Sequence, residues 1–470
     1  MKLKFAVAIA ITLAAFACGI AQANGASLSD FANFAGRVVN APPVPAAASS
    51  AVAPAMKDWT IMVYGVYPKR DTASVGFPAC AVTDAGCSLE DAGSPANLNI
   101  VGQTYCFKAP EYSEYDCTRY AVTKSSPYEV SKFKVDETSA DLGRYTSAVD
   151  FIKWARTNFP AKKYALFMYG EGSGWKNVQQ TTQKGMMYND DTGHHISTME
   201  LRKIFEEAGR VNIFLTHSCK MQMAEVAFEM RGYVDIMFGS EEITVADLAE
   251  VAALVQTLGA QPNAEPAVFV PAVLKASKMK YSRANELNFH KLLDVGNTFS
   301  ALNLTVSDEF AARVREWAKL VINKANECDA VDYAINNVLR FAPDGGIPNP
   351  PGPYNFTYAN FSDLYNFVEL VGAKAKNAAV KAKSVELESF IANKLVIGHH
   401  GAFQSKHGDY AANSHGISIE MIPRQPNPKP SPLVSSYRES SIFPTVSGWA
   451  NFLDWAQQCH AAHNSAAVDR

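Results

Sequence analysis

The chain has 470 residues, of which 48% are hydrophobic, and this is enough to bury a full core. Its 43 Lys and Arg residues are nearly balanced by 46 Asp and Glu residues, which leaves a formal net charge of -3. Because no polybasic stretch is present, this balance argues against a nucleic-acid partner. At this length we expect about two or three structural units, one of them a sizeable α/β domain.

The first 23 residues have the pattern of a leader. Two lysines precede an apolar stretch over residues 5–20, and small residues follow at positions 21 and 23. The pattern predicts a secretory signal peptide over residues 1–23, cleaved before Asn24, and hence a secreted or periplasmic protein. The apolar stretch is shorter than the roughly 18 to 20 residues of a membrane span, and no later segment reaches that length. Cys18 lacks the leucine of a lipoprotein signal three residues before it, which argues against a lipid anchor.

Residues 24–57 are rich in Ala, Pro and Ser and predict a flexible lead-in. After them, short apolar runs with β-branched and aromatic residues predict strands. These predicted strands are Trp59–Gly65, Asn97–Gln103, Tyr164–Tyr169, Val211–Thr216 and Val234–Ser240. A hairpin is expected from Tyr105 to Val122.

Helical patterns separate most of these strands. Residues 145–157 have helical periodicity, and Ser197 with Glu200 forms a capping box for a helix that ends near Gly209. Alternating apolar strands and amphipathic helices predict an α/β fold, with a mostly parallel sheet covered on both faces, over residues 58–247. Beyond Leu248 the pattern is mostly helical, which predicts a helix-rich C-terminal part over residues 248–470.

Cysteine parity singles out one thiol. The sequence has 8 cysteines, and loss of Cys18 with the leader leaves an odd number in an oxidising compartment. The pairings that we expect are Cys80 with Cys87, Cys106 with Cys117, and Cys328 with Cys459. Cys219 is then the unpaired thiol, because it follows a core strand while the others lie in polar, loop-like segments. Without further information, a buried inert cysteine is the ordinary interpretation of such a residue.

Two strand ends carry a recognisable motif. The run VNIFLTHSC ends at Cys219, and the strand ending at Tyr169 runs into the letters GEGSGW. These stretches closely resemble the clostripain-like family of cysteine peptidases, whose patterns read H-G-S-G-W and D-A-C-L-M-G. Aligned letter by letter, Glu171 stands at the position of the family's histidine and His217 at that of its aspartate. Of these three polar positions, only Cys219 keeps its letter.

The resemblance implies a caspase-like fold, to which residues 248–470 contribute the completing part, and a peptide or protein as substrate or ligand. It implies no cofactor and leaves the oligomeric state open. By resemblance, Cys219 is the nucleophile and the Gly172 N–H contributes to the oxyanion hole. The frame of the site is kept, since Gly172, Gly174 and Trp175 match one motif and Ser240–Glu241–Glu242 match the family's S-E-E after the next strand.

The exchange of histidine for Glu171 leaves several interpretations open. A carboxylate near a thiol raises its pKa, so the plainest interpretation is a peptidase fold whose dyad has decayed. Alternatively, His217 and Cys219 project to the same side of an extended segment, and Glu171 orients the imidazole in a relocated Cys219–His217–Glu171 site. A third possibility is a scaffold that holds peptides without cutting them, and a fourth is a redox or interchain use of the thiol.

The second exchange affects the predicted substrate pocket. In the family the aspartate two residues before the cysteine lies near the pocket for a basic P1 side chain, so a preference for Lys or Arg does not carry over to His217. Trp175 is assigned to the same pocket, and Glu241 or Glu242 is an alternative acid for it, although we expect a solvated surface role for both glutamates.

Other polar groups suggest metal sites only weakly. Asp190 and Asp191 lack the spacing of an EF-hand and are read as turn residues. His194, His195, His399 and His400 come as adjacent pairs and are read as loop histidines. No metal ion is therefore expected.

The odd number of cysteines in the mature chain yields the first testable prediction. Alkylation of the non-reduced protein followed by intact-mass measurement should add one label only, on Cys219, because the remaining cysteines are paired. Peptide mapping that places Cys219 in a disulfide would remove it as a nucleophile.

Overall fold

The computed structural model describes residues 55–65, 95–107, 116–125, 128–135, 140–176, 185–189, 192–244, 249–281, 291–343, 359–425 and 433–468. The predicted signal peptide, most of the Ala/Pro-rich lead-in, the Cys80–Cys87 pair and the two residues Asp190 and Asp191 lie outside these residues. None of the described helices is both long and apolar enough to cross a bilayer.

The described elements are named in chain order. The strands are β1 (Lys57–Gly65), β2 (Leu98–Phe107), β3 (Asp116–Ser125), β4 (Tyr128–Lys134), β5 (Ala161–Tyr169), β6 (Val211–His217), β7 (Val234–Gly239), β8 (Asn297–Asn303), β9 (Phe361–Asp363), β10 (Val396–Ala402), β11 (Gln404–Ser405), β12 (Gly408–Asp409) and β13 (Ser418–Glu420). The helices are α1 (Tyr145–Asn158), α2 (Thr198–Ala208), α3 (Ala224–Glu229), α4 (Ala249–Ala260), α5 (Pro266–Tyr281), α6 (Ser307–Ile322), α7 (Cys328–Asn337), α8 (Leu364–Lys374), α9 (Ala378–Phe390), α10 (Tyr410–Asn413), α11 (Leu433–Ser440), α12 (Phe443–Val446) and α13 (Trp449–Val468).

The chain forms two compact units whose segments alternate along the sequence. The first unit takes Met1–Gly170, Met187–His195 and Val245–Asn288. The second takes Glu171–Met186, Ile196–Thr244 and Phe289–Arg470. The predicted division at residue 248 stays a prediction.

In the first unit, β1 lies between β5 and β2 and pairs in parallel with both. Strand β3 pairs antiparallel with β2, and β4 pairs antiparallel with β3. The apolar run of β1 is buried from Trp59 to Gly65, as expected for a strand covered on both faces. Tyr64 packs its ring 5.7 Å from that of Phe151 in α1. Trp59 Nε1 donates to Pro262 O at 2.8 Å, between α4 and α5. Trp59 and Tyr64 are an odd number of positions apart on β1, so their side chains point to opposite faces of the sheet. Helical segments therefore cover both faces.

In the second unit the strand order is β10, β8, β7, β6, with β6 and β7 parallel and the other pairs antiparallel. Aromatic contacts pack the helices of this unit. The Phe228 ring of α3 lies 5.6 Å from that of Phe443 in α12, and the Trp317 ring of α6 lies 6.2 Å from that of Trp449 in α13. The predicted α/β class, with parallel strands flanked by helices and a helix-rich C-terminal part, is confirmed.

All five predicted strands and the hairpin strands β2 and β3 are present, and α1 matches the predicted helix at residues 145–157. The capping box is also confirmed, because the Ser197 hydroxyl accepts from Glu200 N and the Glu200 carboxylate accepts from Ser197 N. The helix that follows it, α2, has Gly209 as its C-cap.

Strands β8 and β10 are not evident in the sequence pattern. Their sequences, NTFSALN and VIGHHGA, contain Asn, Ser, Ala and Gly, which strands disfavour, so tertiary pairing decides their conformation. His399 and His400 lie in β10, so the expectation that they are loop histidines is wrong. His194 and His195 do lie in a loop, where His194 Nδ1 is 2.5 Å from Asp141 Oδ2.

The disulfide between Cys328 and Cys459 joins the start of α7 to α13, with the two Cα atoms 5.2 Å apart. This predicted pairing is confirmed. Cys219 is free among the cysteines that the structure describes. The expected Cys106–Cys117 pairing lies outside the described side chains, although β2 and β3 are hydrogen-bonded to each other.

Loss of this disulfide should destabilise the protein. The bond spans 131 residues, so the double variant Cys328→Ser with Cys459→Ser should lose about 3 to 5 kcal/mol of unfolding free energy, seen as a lower urea midpoint. Cys219→Ser is the matched control, because it replaces a free cysteine and does not open a disulfide-closed loop. Equal midpoints for the double variant and the wild type would contradict this account.

Candidate active site

Cys219 lies in a turn that directly follows β6. This segment, residues 218–222, is called the Cys219 turn below, and it bends at Lys220, which has a φ of 61° although it is not glycine. A non-glycine residue in the left-handed region costs of order 1 kcal/mol or more, so the surrounding contacts must hold the turn in place.

The contacts that hold the turn come from residues 240–244, called the seat below. Gln222 N donates to Ser240 O and Lys220 N donates to Glu242 O, each at 3.1 Å. The Cys219 sulfur makes two further hydrogen bonds to the seat. Thr244 N donates to Sγ at 3.4 Å, and Sγ–H donates to Thr244 O at 3.7 Å. The seat therefore fixes the position of the thiol through backbone groups.

A second turn, residues 171–176, lies against the Cys219 turn. A Cβ atom on Gly172 would lie 2.6 Å from Cys219 O and 2.8 Å from Cys219 N, so only glycine allows this approach. The structure thus places Gly172 next to Cys219. The exposed carboxylate of Glu171 acts electrostatically on the thiol. The oxyanion role of the Gly172 N–H stays a prediction.

The surroundings of the Cys219 sulfur favour the neutral thiol. The residue is half-buried, and it packs on an apolar cluster that includes Ile243 and Ala342. Burial raises the pKa of the Cys219 thiol to about 11, and the Glu171 carboxylate acts in the same direction. The Thr244 N–H and the Lys220 ammonium oppose this shift without cancelling it.

His217, the last residue of β6, is 1% exposed. Its ring meets that of Phe299 in β8 edge-on, with centroids 5.7 Å apart. The relocated Cys219–His217–Glu171 site stays a prediction.

The two glutamates of the seat are buried, at 1% exposure for Glu241 and 0% for Glu242. The expectation of a solvated surface role is therefore wrong. Glu242 accepts from Ile243 N, Ala342 N and the Tyr410 hydroxyl, and burial raises its pKa to about 7. A short acidic stretch after a strand has the composition of a surface loop, but here the segment is covered by residues that come 100 or more positions later.

Trp175 is also buried and belongs to a polar network. Its Nε1 donates to Glu420 Oε2 at 2.9 Å, and its ring lies 4.9 Å from that of Tyr437. Glu420 N and the Tyr437 hydroxyl both donate to Glu225 Oε1. Burial raises the pKa of Glu420 to about 8 and that of Glu225 to about 7. The substrate-pocket role of Trp175, Glu241 and Glu242 stays a prediction.

Sequence reasoning missed Asp363, Tyr410 and Glu420, which contact the seat or the second turn from distant parts of the chain. No local motif marks these residues, so only the folded chain reveals them. In the described part of the chain, no group of three His, Cys, Asp or Glu side chains is arranged to hold a metal ion.

The fold and this site define a caspase-like α/β protein with a cysteine at the carboxyl end of a sheet strand. The model of the clostripain family, Peptidase C11, matches residues 122–455. The chain belongs to the clostripain family.

Solved structures share the fold at low sequence identity. A secreted C11 cysteine protease from Bacteroides thetaiotaomicron, in complex with an irreversible peptide inhibitor, is 16% identical with a TM-score of 0.53, covering 84% of this chain and 99% of that one. The same organism's protease "iotapain" is 15% identical with a TM-score of 0.54, covering 84% and 100%. An inactive zymogen C11 protease from Parabacteroides distasonis is 15% identical with a TM-score of 0.53, covering 87% and 100%. No curated protein matches the chain.

The contact between the two turns can be tested at Gly172. Gly172→Ala should lower the unfolding free energy by about 1 to 3 kcal/mol, because its methyl group would overlap the Cys219 backbone. Thermal melting and urea titration measure the change, with Ser173→Ala, at the half-buried neighbouring position, as the control. A Gly172→Ala variant as stable as the control would refute the contact.

Proposed function

We propose that this protein is an exported clostripain-family peptidase homologue in which Cys219 holds the nucleophile position and the base is disabled. Peptide-bond hydrolysis is then weak or absent. The observation that carries the proposal is that burial and the nearby Glu171 carboxylate raise the pKa of the Cys219 thiol to about 11, the opposite of what a catalytic histidine would do.

A cysteine peptidase attacks with a thiolate, which a neighbouring imidazolium normally stabilises. With a pKa of about 11, only about one Cys219 side chain in ten thousand is ionised at pH 7. The Glu171 carboxylate is one of the causes of that raised pKa, and a carboxylate does not supply the proton that the leaving amine needs. Both functions of the missing histidine are thereby lost.

The frame that remains supports peptide binding. Gly172 lies against the Cys219 backbone, and we propose that its N–H donates to the carbonyl of a bound peptide there. One structure of similar fold holds a peptide inhibitor, and we extend peptide binding from it to this chain. That protein is secreted, which is consistent with the predicted leader. No preference for a basic P1 residue is proposed, because His217 replaces the family's aspartate.

A relocated site built on His217 is the competing function. We favour the loss of the catalytic base over this relocated site for two reasons. His217 packs its ring against Phe299 in the core, and neighbouring same-face side chains on a strand stand roughly parallel instead of leaning toward each other.

Variants at residue 171 test the proposal. Wild-type Cys219 should react slowly with iodoacetamide at neutral pH, and Glu171→Gln should speed alkylation about three- to tenfold by removing a charge that raises the thiol pKa. Glu171→His should speed it further and restore some cleavage of quenched fluorescent peptides. Glu207→Gln, which alters an exposed acid on α2, is the matched control and should change neither rate.

The competing site predicts the reverse pattern. If His217 activates the thiol, wild-type alkylation is fast at about pH 6 to 7, where an imidazolium–thiolate pair persists. His217→Ala would then abolish the fast reaction, and Glu171→Gln would slow it. That result would overturn the proposed loss of the base and make the protein an active peptidase.

A further inference from the structure

The carboxyl group of Glu241, in the seat, contacts a second buried carboxyl group, that of Asp363. Glu241 and Asp363 are 1% and 0% exposed. Glu241 Oε2 accepts from Gly416 N at 3.2 Å, while no donor among the described residues reaches Oε1. A buried carboxylate oxygen without a donor is costly, whereas a protonated one can itself donate to a neighbouring carboxylate.

Asp363 already accepts from two backbone donors. Asn366 N donates to Oδ1 at 2.7 Å, which caps α8, and His415 N donates to Oδ2 at 2.5 Å. Both Asp363 oxygens therefore accept from the backbone, whereas Glu241 Oε1 accepts from no described donor, so a proton on Glu241 is the one that can be donated across the pair. Burial raises the pKa of Glu241 well above its usual value, and the contact with Asp363 adds to the shift.

Other charged groups surround the pair. Glu242 follows Glu241 in the seat, and His415 Nδ1 lies 3.4 Å from Asp363 Oδ1. Burial lowers the pKa of His415, but the contact with Asp363 outweighs burial and the net shift is upward. Further groups act on His415 or Asp363 from the neighbouring elements, and they are Tyr365 and Glu369 of α8, Glu388 of α9 and His399 of β10.

The pair is connected to the Cys219 turn by residues 415–418. Gly416 N binds Glu241, and Gly416 O accepts from the Ser300 hydroxyl at 2.6 Å. That hydroxyl accepts from Gln222 Nε2 at 2.9 Å, and Ser418 N donates to Gln222 O at 3.0 Å. Gln222 belongs to the Cys219 turn, so the acid pair holds this turn through both the seat and residues 415–418.

We propose that Glu241 and Asp363 share one proton and together act as a pH-sensitive latch that positions the turn carrying Cys219. Loss of the proton at alkaline pH leaves two buried like charges, whose repulsion displaces residues 415–418 from the seat. The thiol then becomes more accessible. The latch goes beyond the proposed function, because it operates whether or not Cys219 cleaves peptides.

The sign of the pH dependence follows from linkage. The pKa of Glu241 is raised in the folded protein, so its proton stabilises the fold at low pH. This contribution is lost as the pH rises from the unfolded pKa through the folded one. Opening therefore belongs to the alkaline side.

The rate of Cys219 alkylation by iodoacetamide between about pH 7.5 and 9.5 tests the latch in the full chain. Ionisation of one thiol raises the rate about tenfold per pH unit at most. The alkylation rate of the wild type should rise more than tenfold per pH unit, because loss of the shared proton exposes the thiol in addition to its ionisation. Glu241→Gln should follow the single-ionisation slope, since its amide donates to Asp363 and accepts from Gly416 N at every pH. Glu369→Gln, which removes an exposed acid beside His415, should keep the steep wild-type slope.

A wild-type slope at or below tenfold per unit would overturn the latch without any variant, so the test survives if Glu241→Gln fails to fold. A steep slope that persists in both Glu241→Gln and Asp363→Asn would overturn it as well. Rapid His217-dependent labelling at neutral pH would instead overturn the proposed loss of the base. The latch would then predict an alkaline rise in rate that Glu241→Gln removes, and a rise unchanged in that variant would overturn it.

Discussion

The site depends on one constraint, which is that the Cys219 turn must be held in a strained conformation between two backbone surfaces. Lys220 adopts a left-handed φ, and the seat compensates with hydrogen bonds at Gln222, Lys220 and the Cys219 sulfur. On the other side, Gly172 approaches the Cys219 backbone more closely than any side chain allows. These contacts are local in space but join three separated segments of the chain.

The same burial that fixes the turn controls its chemistry. Removing water from the thiol favours its neutral form, and the negative charge of Glu171 raises the thiol pKa in the same direction. Four glutamates that hydrogen-bond near the site are likewise buried. Burial raises the pKa of each of them, Glu225, Glu241, Glu242 and Glu420. Such groups stabilise the frame when they are hydrogen-bonded or protonated. Under the proposed loss of the base, the frame of the site can persist, because other residues maintain it.

Sequence patterns predicted those parts of the fold that local physics determines. The apolar runs at β1, β5, β6 and β7, the capping box before α2 and the pairing of Cys328 with Cys459 all appear in the structure. The patterns failed where tertiary context overrides composition. Strands β8 and β10 contain residues that favour loops, and Glu241 and Glu242 look like surface acids although later parts of the chain cover them.

By itself, the sequence determined the α/β class, the family resemblance and the free thiol, and it predicts that Glu171 stands at the position of the family's histidine. It did so because strand periodicity, cysteine parity and short motifs are properties of neighbouring residues. The tertiary structure alone decided the protonation environment of Cys219 and brought Asp363, Tyr410 and Glu420 to the site. The physical reason is that burial and electrostatic coupling depend on which distant segments pack together, and no local pattern records that packing.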